Sequence, residues 1–501
     1  MIRYQFLIQN KNHNLGVTYL TRAGTGKTYT LVKRIDAFEQ AYLVCQNMEE
    51  FCYLHGFKEN IPQTGGVWKQ ALEICRYVNQ MMEERVDVKA MSGDEDKDIR
   101  FLGKLVLRYK SLLDRKNVMD FSSIQTETWE MLDGDENILK DVQDKIRYIM
   151  VDEYQDTNYI QEQLVFKIAG ESKNICVVGD DDQGMYRFRG ATIRNILEFA
   201  DNFEKNECKV YYLNKNYRSE PGIIQFYSSW MKDEGNSRSD WGKYRFAKQL
   251  QACKPSKSVD PSVFACGGDS FDVEKEELLE IIKNLKENGN ITDLNQIAFL
   301  FRSVKGTEAK GIADFLEANG FPVYSPRANM FFERVEVKQV LGCIMFCFKH
   351  YMDDLKSGFF RYPISSELRE YYKSCRMEAV ALLKADEMLK SFIGQRAQEI
   401  LALDKDSDEG LLDILDRLFA FEPFRRYLEV DIAGDPKKNR SARNLSEISR
   451  LIERFNNLHN MHCFTETNKL EIAEQLFNVY LKYLYIDGIG LLSTATIPQG
   501  N

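Results

Sequence analysis

Thr21-Arg22-Ala23-Gly24-Thr25-Gly26-Lys27-Thr28 lies between the β-rich run Val17-Thr18-Tyr19-Leu20 and a stretch that reads as helical. A loop that wraps a polyphosphate must turn successive backbone N–H groups inward, and Gly24 and Gly26 permit that path. A helix beginning near Lys27 would add its positive N-terminal end. In this arrangement Ala23, Gly24, Thr25, Gly26, Lys27 and Thr28 hold the phosphates. The Lys27 ammonium reaches the β- and γ-phosphates, and the Thr28 hydroxyl serves Mg²⁺. Thr21 stands where the usual GxxxxGK[ST] pattern has glycine.

A phosphate loop needs a carboxylate at the end of a neighbouring strand, and Ile149-Met150-Val151-Asp152-Glu153 supplies one. Asp152 can hold Mg²⁺ through its water shell, and Glu153 can orient or deprotonate an attacking water. Further short apolar runs share this pattern: 146–151, Ile175-Cys176-Val177-Val178 and Val210-Tyr211-Tyr212-Leu213, each followed by polar residues or glycine. Their length and lack of alternation predict strands buried on both faces of a parallel sheet, with ligands at the C-terminal ends. Residues 40–118 read as helical and form an insertion. A second α/β unit begins near 207, with helices at 273–286 and 312–318 and a strand at 296–301. From about 350 to 485 the pattern is helical, with Leu445, Ile448, Leu451, Ile452, Phe455 and Leu458 at spacings of three and four.

Composition sets the outer bounds. The 501 residues are 44% hydrophobic and 29% charged, too many for one core and too apolar for a disordered chain. No apolar run approaches the roughly 18 residues needed to cross a bilayer. The polar N-terminus lacks a signal-peptide pattern, so a cytoplasmic location is expected and no membrane partner. Eleven scattered Cys and five His form no zinc-spaced cluster. A net charge of −9 argues against a histone-like binder but leaves room for a local basic track.

Asp152-Glu153-Tyr154-Gln155-Asp156 comes first, then Val178-Gly179-Asp180-Asp181-Asp182-Gln183 with Tyr186-Arg187-Phe188-Arg189-Gly190-Ala191, then Asn216-Tyr217-Arg218-Ser219. In that order these segments resemble the UvrD/PcrA/Rep family of superfamily 1 DNA helicases. Met119-Asp120-Phe121 and the segment from Phe331 to Lys338 look familial too. The resemblance implies α/β RecA-like motor domains with parallel sheets and helical inserted subdomains. It implies an ATP-hydrolysing helicase or translocase, running 3′ to 5′ on single-stranded or tailed duplex DNA, with ATP and Mg²⁺ as cofactors. Lys27, Asp152, Glu153, Gln183 and Arg218 would be catalytic. Gln183 would sense the γ-phosphate, Tyr217 would stack on adenine, and Arg218 would contact the γ-phosphate. Tyr186 and Phe188 would stack on single-stranded DNA; packing between the motor domains is the other reading of those rings. Asp180, Asp181 and Asp182 fit a solvated acidic loop.

The implied organisation places a first motor domain at 1–40 and 115–206 with a helical insertion at 41–114. A second motor domain, incomplete, spans 207–348, with a helical insertion at 349–490 and a truncated return segment at 491–501. No TNxAA-like or TxH-like segment follows 31–35, which puts one DNA-contact strip in doubt. The family's HxSKGLE-like and last arginine-bearing segments are not found in the 501 residues. Either the chain is a truncated product or a second chain supplies the missing motor segments. A remnant that binds ATP and DNA but hydrolyses and unwinds poorly is therefore the alternative function, and a regulatory phosphate-loop ATPase a weaker third. A basic, aromatic stretch, Arg238, Trp241, Lys243, Tyr244, Arg245, Phe246, Lys248, Lys254 and Lys257, suits either a nucleic-acid track or a solvated face.

Overall fold

The computed structural model describes residues 16–18, 31–184, 191–231, 245–255, 262–301, 304, 306–323, 330–358, 360–429 and 436–487. The phosphate loop at 21–28, and Tyr186 and Phe188, lie outside the described residues. The chain divides into two compact units, Met1–Ala265 and Cys266–Asn501. Among the described residues no helix is long and apolar enough to cross a membrane.

In the first unit, strand β1 (Gly16–Thr18) pairs antiparallel with β2 (Leu31–Arg34), which pairs parallel with β3 (Val118–Met119). The sequence reading expected helix through 31–34. Pairing with a strand on each side outweighs the helical preference of Leu-Val-Lys-Arg there. The connection from β2 to β3 is helical and includes α1 (Ala37–Gln46), α2 (Gly66–Glu83) and α3 (Lys97–Lys116). Asp36 and Glu39 close a reciprocal capping box at the start of α1, with N···O distances of 2.9 and 3.0 Å. Helix α2 buries Trp68, Ala71, Ile74, Cys75, Val78 and Met82, and α3 buries Phe101, Leu105, Tyr109 and Leu112, each a stripe at helical spacing.

One polar cluster ties these helices together. Gln40 Nε2 lies 2.7 Å from Asn79 Oδ1, 3.0 Å from the Tyr109 hydroxyl and 2.8 Å from Asp120 Oδ2. Asp120 also accepts from the Ser123 N–H at 2.6 Å, capping α4 (Phe121–Gly134). So the end of β3 and the start of α4 are tied to the helical layer through a largely buried hydrogen-bond network.

Strand β4 (Ile149–Val151) is parallel to β5 (Ile175–Val177), in the register Ile149↔Ile175, Met150↔Cys176 and Val151↔Val177, with α5 (Tyr159–Ala169) in the crossover. The expectation of strands buried on both faces is corrected here. Met150 is 79% exposed and Cys176 is exposed, while their neighbours are half-buried, so one face of this pair is covered and the other is open. A second correction concerns 210–213. No strand forms there, and Val210, Tyr211, Tyr212 and Leu213 are all exposed. Pairing starts later, where β6 (Lys215–Asn216) runs parallel to β7 (Gln251–Ala252). An apolar run becomes a strand only where another backbone meets its N–H and C=O groups, and none of the described residues does so for 210–213.

In the second unit, α6 (Phe271–Glu287) and α7 (Thr307–Ala318) form as the periodicity predicts. Helix α7 stops at Asn319, followed by Gly320 at φ +85°. The expected strand at 296–301 is instead a short 3-10 turn, Leu294–Gln296, followed by chain that joins no ladder among the described residues. Its alternation is real: Ile297, Phe299 and Phe301 pack on Leu279, Ile282, Ile312 and Leu316, while Leu300 is 93% exposed. Among the described residues no partner strand completes the ladder. Beyond it lie α8 (Val335–Phe346), α9 (Ser366–Ala385) and α10 (Pro436–His459). Gly342 lets α8 meet α9 closely, since a Cβ there would fall 2.2 Å from the Cys375 carbonyl oxygen. On α10, Leu445, Ile448, Leu451, Ile452 and Phe455 are buried, the stripe read from the sequence.

Candidate active site

The parallel pairing of β4 with β5 brings the polar residues after both strands to the same edge, the place where an open α/β sheet gathers its ligands. Asp152 and Glu153 follow β4 directly and are exposed. Asp152 Oδ1 accepts the Glu153 N–H at 2.9 Å. Glu153 adopts the left-handed conformation, φ 50° and ψ 45°, which is uncommon for a residue other than glycine. The turn Tyr154–Asp156 then folds back towards the sheet, and the Tyr154 N–H donates to the Val178 carbonyl at 3.0 Å.

Gln155 is the hub that sequence reasoning missed. It is 2% exposed. Its Nε2 donates to Glu153 Oε2 at 2.6 Å, and its Oε1 accepts the Asp180 N–H at 2.9 Å. The Gln183 Nε2 in turn donates to Asp180 Oδ2 at 2.9 Å, within the short 3-10 turn Asp181–Gln183. One hydrogen-bonded path therefore runs from Glu153 through Gln155 and Asp180 to Gln183. Gly179 makes room for it: a Cβ there would meet Gln155 Oε1 at 2.6 Å and Ile196 Cδ1 at 2.7 Å. The repeated Gln and Asp letters of the two motifs carry this signal, but only the strand register shows that they meet.

Asp180, Asp181 and Asp182 are not a merely solvated loop. Their carboxylates lie close enough together to gather a cation, and the ammonium of Lys248 already sits among all three, 3.0 Å from Asp182 Oδ2. Arg245 pairs with Asp182, and the Phe246 N–H donates to Asp181 Oδ2 at 2.9 Å. Burial pushes the Asp180 carboxyl up, but hydrogen bonds from Lys248 and Gln183 outweigh it and hold it below the usual carboxylate range. Arg245 and Lys248 thus leave the basic track suggested by the sequence, while Lys254 stays exposed. Arg238, Lys243 and Lys257 lie outside the described residues.

Tyr217 and Arg218 follow β6 and are exposed, Tyr217 at 69%. Asn216 Oδ1 accepts the N–H groups of Arg218 and Ser219 at 3.0 and 2.8 Å, so the turn that presents them is fixed by a side chain. The structure thus joins Glu153 and Gln183 in one bonded path beside Asp152. Tyr217 and Arg218 form no hydrogen bond with those groups among the described residues. Lys27 and the other loop residues fall outside the described set.

Residues 36–204 match the family model described as the UvrD/REP helicase N-terminal domain, and residues 211–355 match the UvrD-like helicase C-terminal domain. The chain belongs to the UvrD/PcrA/Rep-like helicase family. An α/β RecA-like fold follows from that membership. The first UvrD-type match begins at 36, so the phosphate loop at 21–28 stands on its own sequence. Similar proteins include the ATP-dependent DNA helicase PcrA of Staphylococcus epidermidis, 28% identical over 240 residues, 47% of this chain and 30% of that protein. DNA helicase II of Haemophilus influenzae is 28% identical over 289 residues, 58% of this chain and 36% of that one. The ATP-dependent DNA helicase UvrD1 of Mycobacterium tuberculosis is 27% identical over 276 residues, 54% and 34% of the two chains. The matched stretch of this UvrD-like chain spans about a third of the length of these curated relatives.

Proposed function

We propose that this chain binds Mg-ATP at the β4–β5 edge and couples its hydrolysis to movement on single-stranded DNA, in the 3′-to-5′ sense by family resemblance. The observation that carries the reading is the bonded path from Glu153 through Gln155 and Asp180 to Gln183. Phosphoryl transfer needs positioning and charge stabilisation more than covalent chemistry, and such a path fixes a base and an amide relative to each other. Glu153 orients and deprotonates the attacking water. Gln183, whose amide can both donate and accept, reads the γ-phosphate. Lys27, with the backbone of 23–28, cradles the phosphates, and Tyr217 stacks on the base. Arg218 meets the transferring phosphoryl, and its exposed guanidinium, which makes no ion pair among the described residues, is available for that contact. Asp152 and Thr28 would hold Mg²⁺, which supplies positive charge to the phosphate oxygens when bound. Asp152 fits this role, since it is exposed and, among the described residues, only its Oδ1 is engaged, by the next N–H. Tyr186 and Phe188 stack on bases of the DNA, in single-stranded or tailed duplex form, and the protein works in the cytoplasm.

A second reading, a chain that binds ATP and DNA but turns over poorly, is favoured by the exposed runs at 210–213 in one unit and around Leu300 in the other, which have no strand partner among the described residues. One set of assays tests both. Lys27→Ala should weaken ATP binding, while Glu153→Gln should keep binding and stop turnover. Equal ATP affinity in wild type and Lys27→Ala would reject the site. DNA-stimulated hydrolysis with unwinding of 3′-tailed duplex would reject the second reading; binding without either would reject the first.

A further inference from the structure

The segment from Arg245 to Ala252 touches two parts of the candidate site at once. At one end Lys248 and Arg245 are salt-bridged to Asp180, Asp181 and Asp182, with side chains only 14–17% exposed. At the other end Gln251 and Ala252 form β7 against Lys215 and Asn216, the strand that leads into Tyr217 and Arg218. The Gln251 N–H donates to the Asn214 carbonyl at 2.8 Å, and the Cys253 N–H to the Asn216 carbonyl at 2.9 Å. Phe246 adds a ring contact with Tyr212, at 6.3 Å between centroids. Three consecutive carboxylates repel one another unless a cation sits among them, and the Lys248 ammonium is that cation. Lys248 thus braces Asp180, which accepts from Gln183 and donates its N–H to Gln155.

We propose that Lys248, assisted by Arg245, is a positioning residue of the nucleotide site. It acts through Asp180 to set both the Gln183 amide and, by way of Gln155, the Glu153 carboxylate. This rests on the function proposed above. It also makes 245–252 a strap linking the γ-phosphate-reading loop to the turn bearing Tyr217 and Arg218. The role assigned to the two basic residues needs no contact with the nucleotide. Their effect is on how well the site distinguishes a γ-phosphate from its absence, and on turnover.

The test compares the 501-residue chain with Lys248→Met and Lys248→Arg, measuring affinity for ADP and for a slowly hydrolysed ATP analogue, ATP turnover, single-stranded DNA affinity and thermal unfolding. Lys248→Met should lose about fivefold or more of the preference for the triphosphate and about tenfold in kcat, as small misplacements of reacting groups do. ADP and DNA affinities should hold within about twofold, because a positioning role acts through Asp180 and calls for no contact with either ligand. Lys248→Arg should restore most of the preference, since a guanidinium can still bind the carboxylates. Asp180→Asn breaks the same link from the other side and carries the comparison if Lys248→Met does not fold; the double variant should be no worse than the poorer single. A wild type that binds neither nucleotide overturns the proposed function. A wild type that binds both equally, or a Lys248→Met with unchanged preference and kcat, overturns only the positioning role. Weakened DNA binding with unchanged nucleotide preference would make Lys248 a DNA contact and likewise overturn it.

Discussion

Replacing Gln155 separates its two hydrogen bonds, and the cost of each follows from where its partner lies. Gln155→Leu keeps the side-chain bulk but removes both the acceptor for the Asp180 N–H and the donor to Glu153 Oε2. An N–H left unpaired in a part-buried position costs about 1–3 kcal/mol. Glu153 is exposed, so water replaces the lost donor there at little expense in stability. The expected loss for Gln155→Leu is therefore about 1–3 kcal/mol, near 2–10 °C in Tm for a cooperative unit of this size. Gln155→Glu keeps the acceptor but sets a second carboxylate where an amide now lies 2.6 Å from Glu153 Oε2. Two unit charges at that separation repel by about 1.6 kcal/mol even at the dielectric of water. The crowded pair holds a proton more tightly when folded than when unfolded, so the Gln155→Glu deficit is full above the carboxylate range and fades as pH falls. Urea unfolding at pH 5 and pH 8, with ATP turnover alongside, reads both effects. Turnover should fall in both variants, because Glu153 loses its anchor. Wild-type stability and kcat in Gln155→Leu, or a Gln155→Glu deficit that does not shrink on acidification, would refute the hub assignment.

Gly342→Ala should destabilise the second unit by about 1–3 kcal/mol, since the added methyl overlaps the Cys375 carbonyl oxygen; thermal unfolding checks it. Burial lowers the pKa of His459 to about 4, against which Glu471 acts weakly. The unfolded chain then binds a proton below about pH 6.5 that the folded chain refuses, so stability falls as pH drops from 6.5 towards 4, by up to about 3 kcal/mol. His459→Gln should flatten that dependence in unfolding measurements. Glu83 behaves oppositely: burial raises it to about 7, despite hydrogen bonds from Ser122 and Asn158. Its folded form holds a proton between about pH 4.5 and 7 that the unfolded form releases, so Glu83→Gln should stabilise by about 1–3 kcal/mol at pH 8 and much less at pH 5. Tyr217→Ala should weaken every adenine nucleotide in binding titrations, because an exposed stacking face is lost.

The sequence made the local parts of this molecule legible. Helices α6, α7 and α10 carry their periodicity in consecutive residues, and the acidic and amide letters of the two motifs mark the strand ends. What stayed hidden depends on partners far along the chain. The apolar run at 210–213 has the composition of a strand, yet composition does not say whether a neighbouring backbone is there to pair with it. The alternation at Ile297, Phe299 and Phe301 reflects a helical layer beneath, not a ladder beside. Lys248 reads as a basic-track residue until its contacts, some 66 residues away at Asp182, show that its charge is already spent. Gln155 sits in plain view inside a motif, but its role needs the register of β4 against β5.

The backbone at Glu153 has a consequence for anyone who sets out to improve this protein. A left-handed φ of 50° is tolerated by glycine without penalty, and by asparagine better than by glutamate. A library screened for heat resistance should therefore collect Gly or Asn at 153. On the role proposed for Glu153, those winners would survive heating and lose ATP turnover. Selection for robustness alone would erode the chemistry first at this one residue, so a stability campaign needs an activity screen run in parallel from its first round.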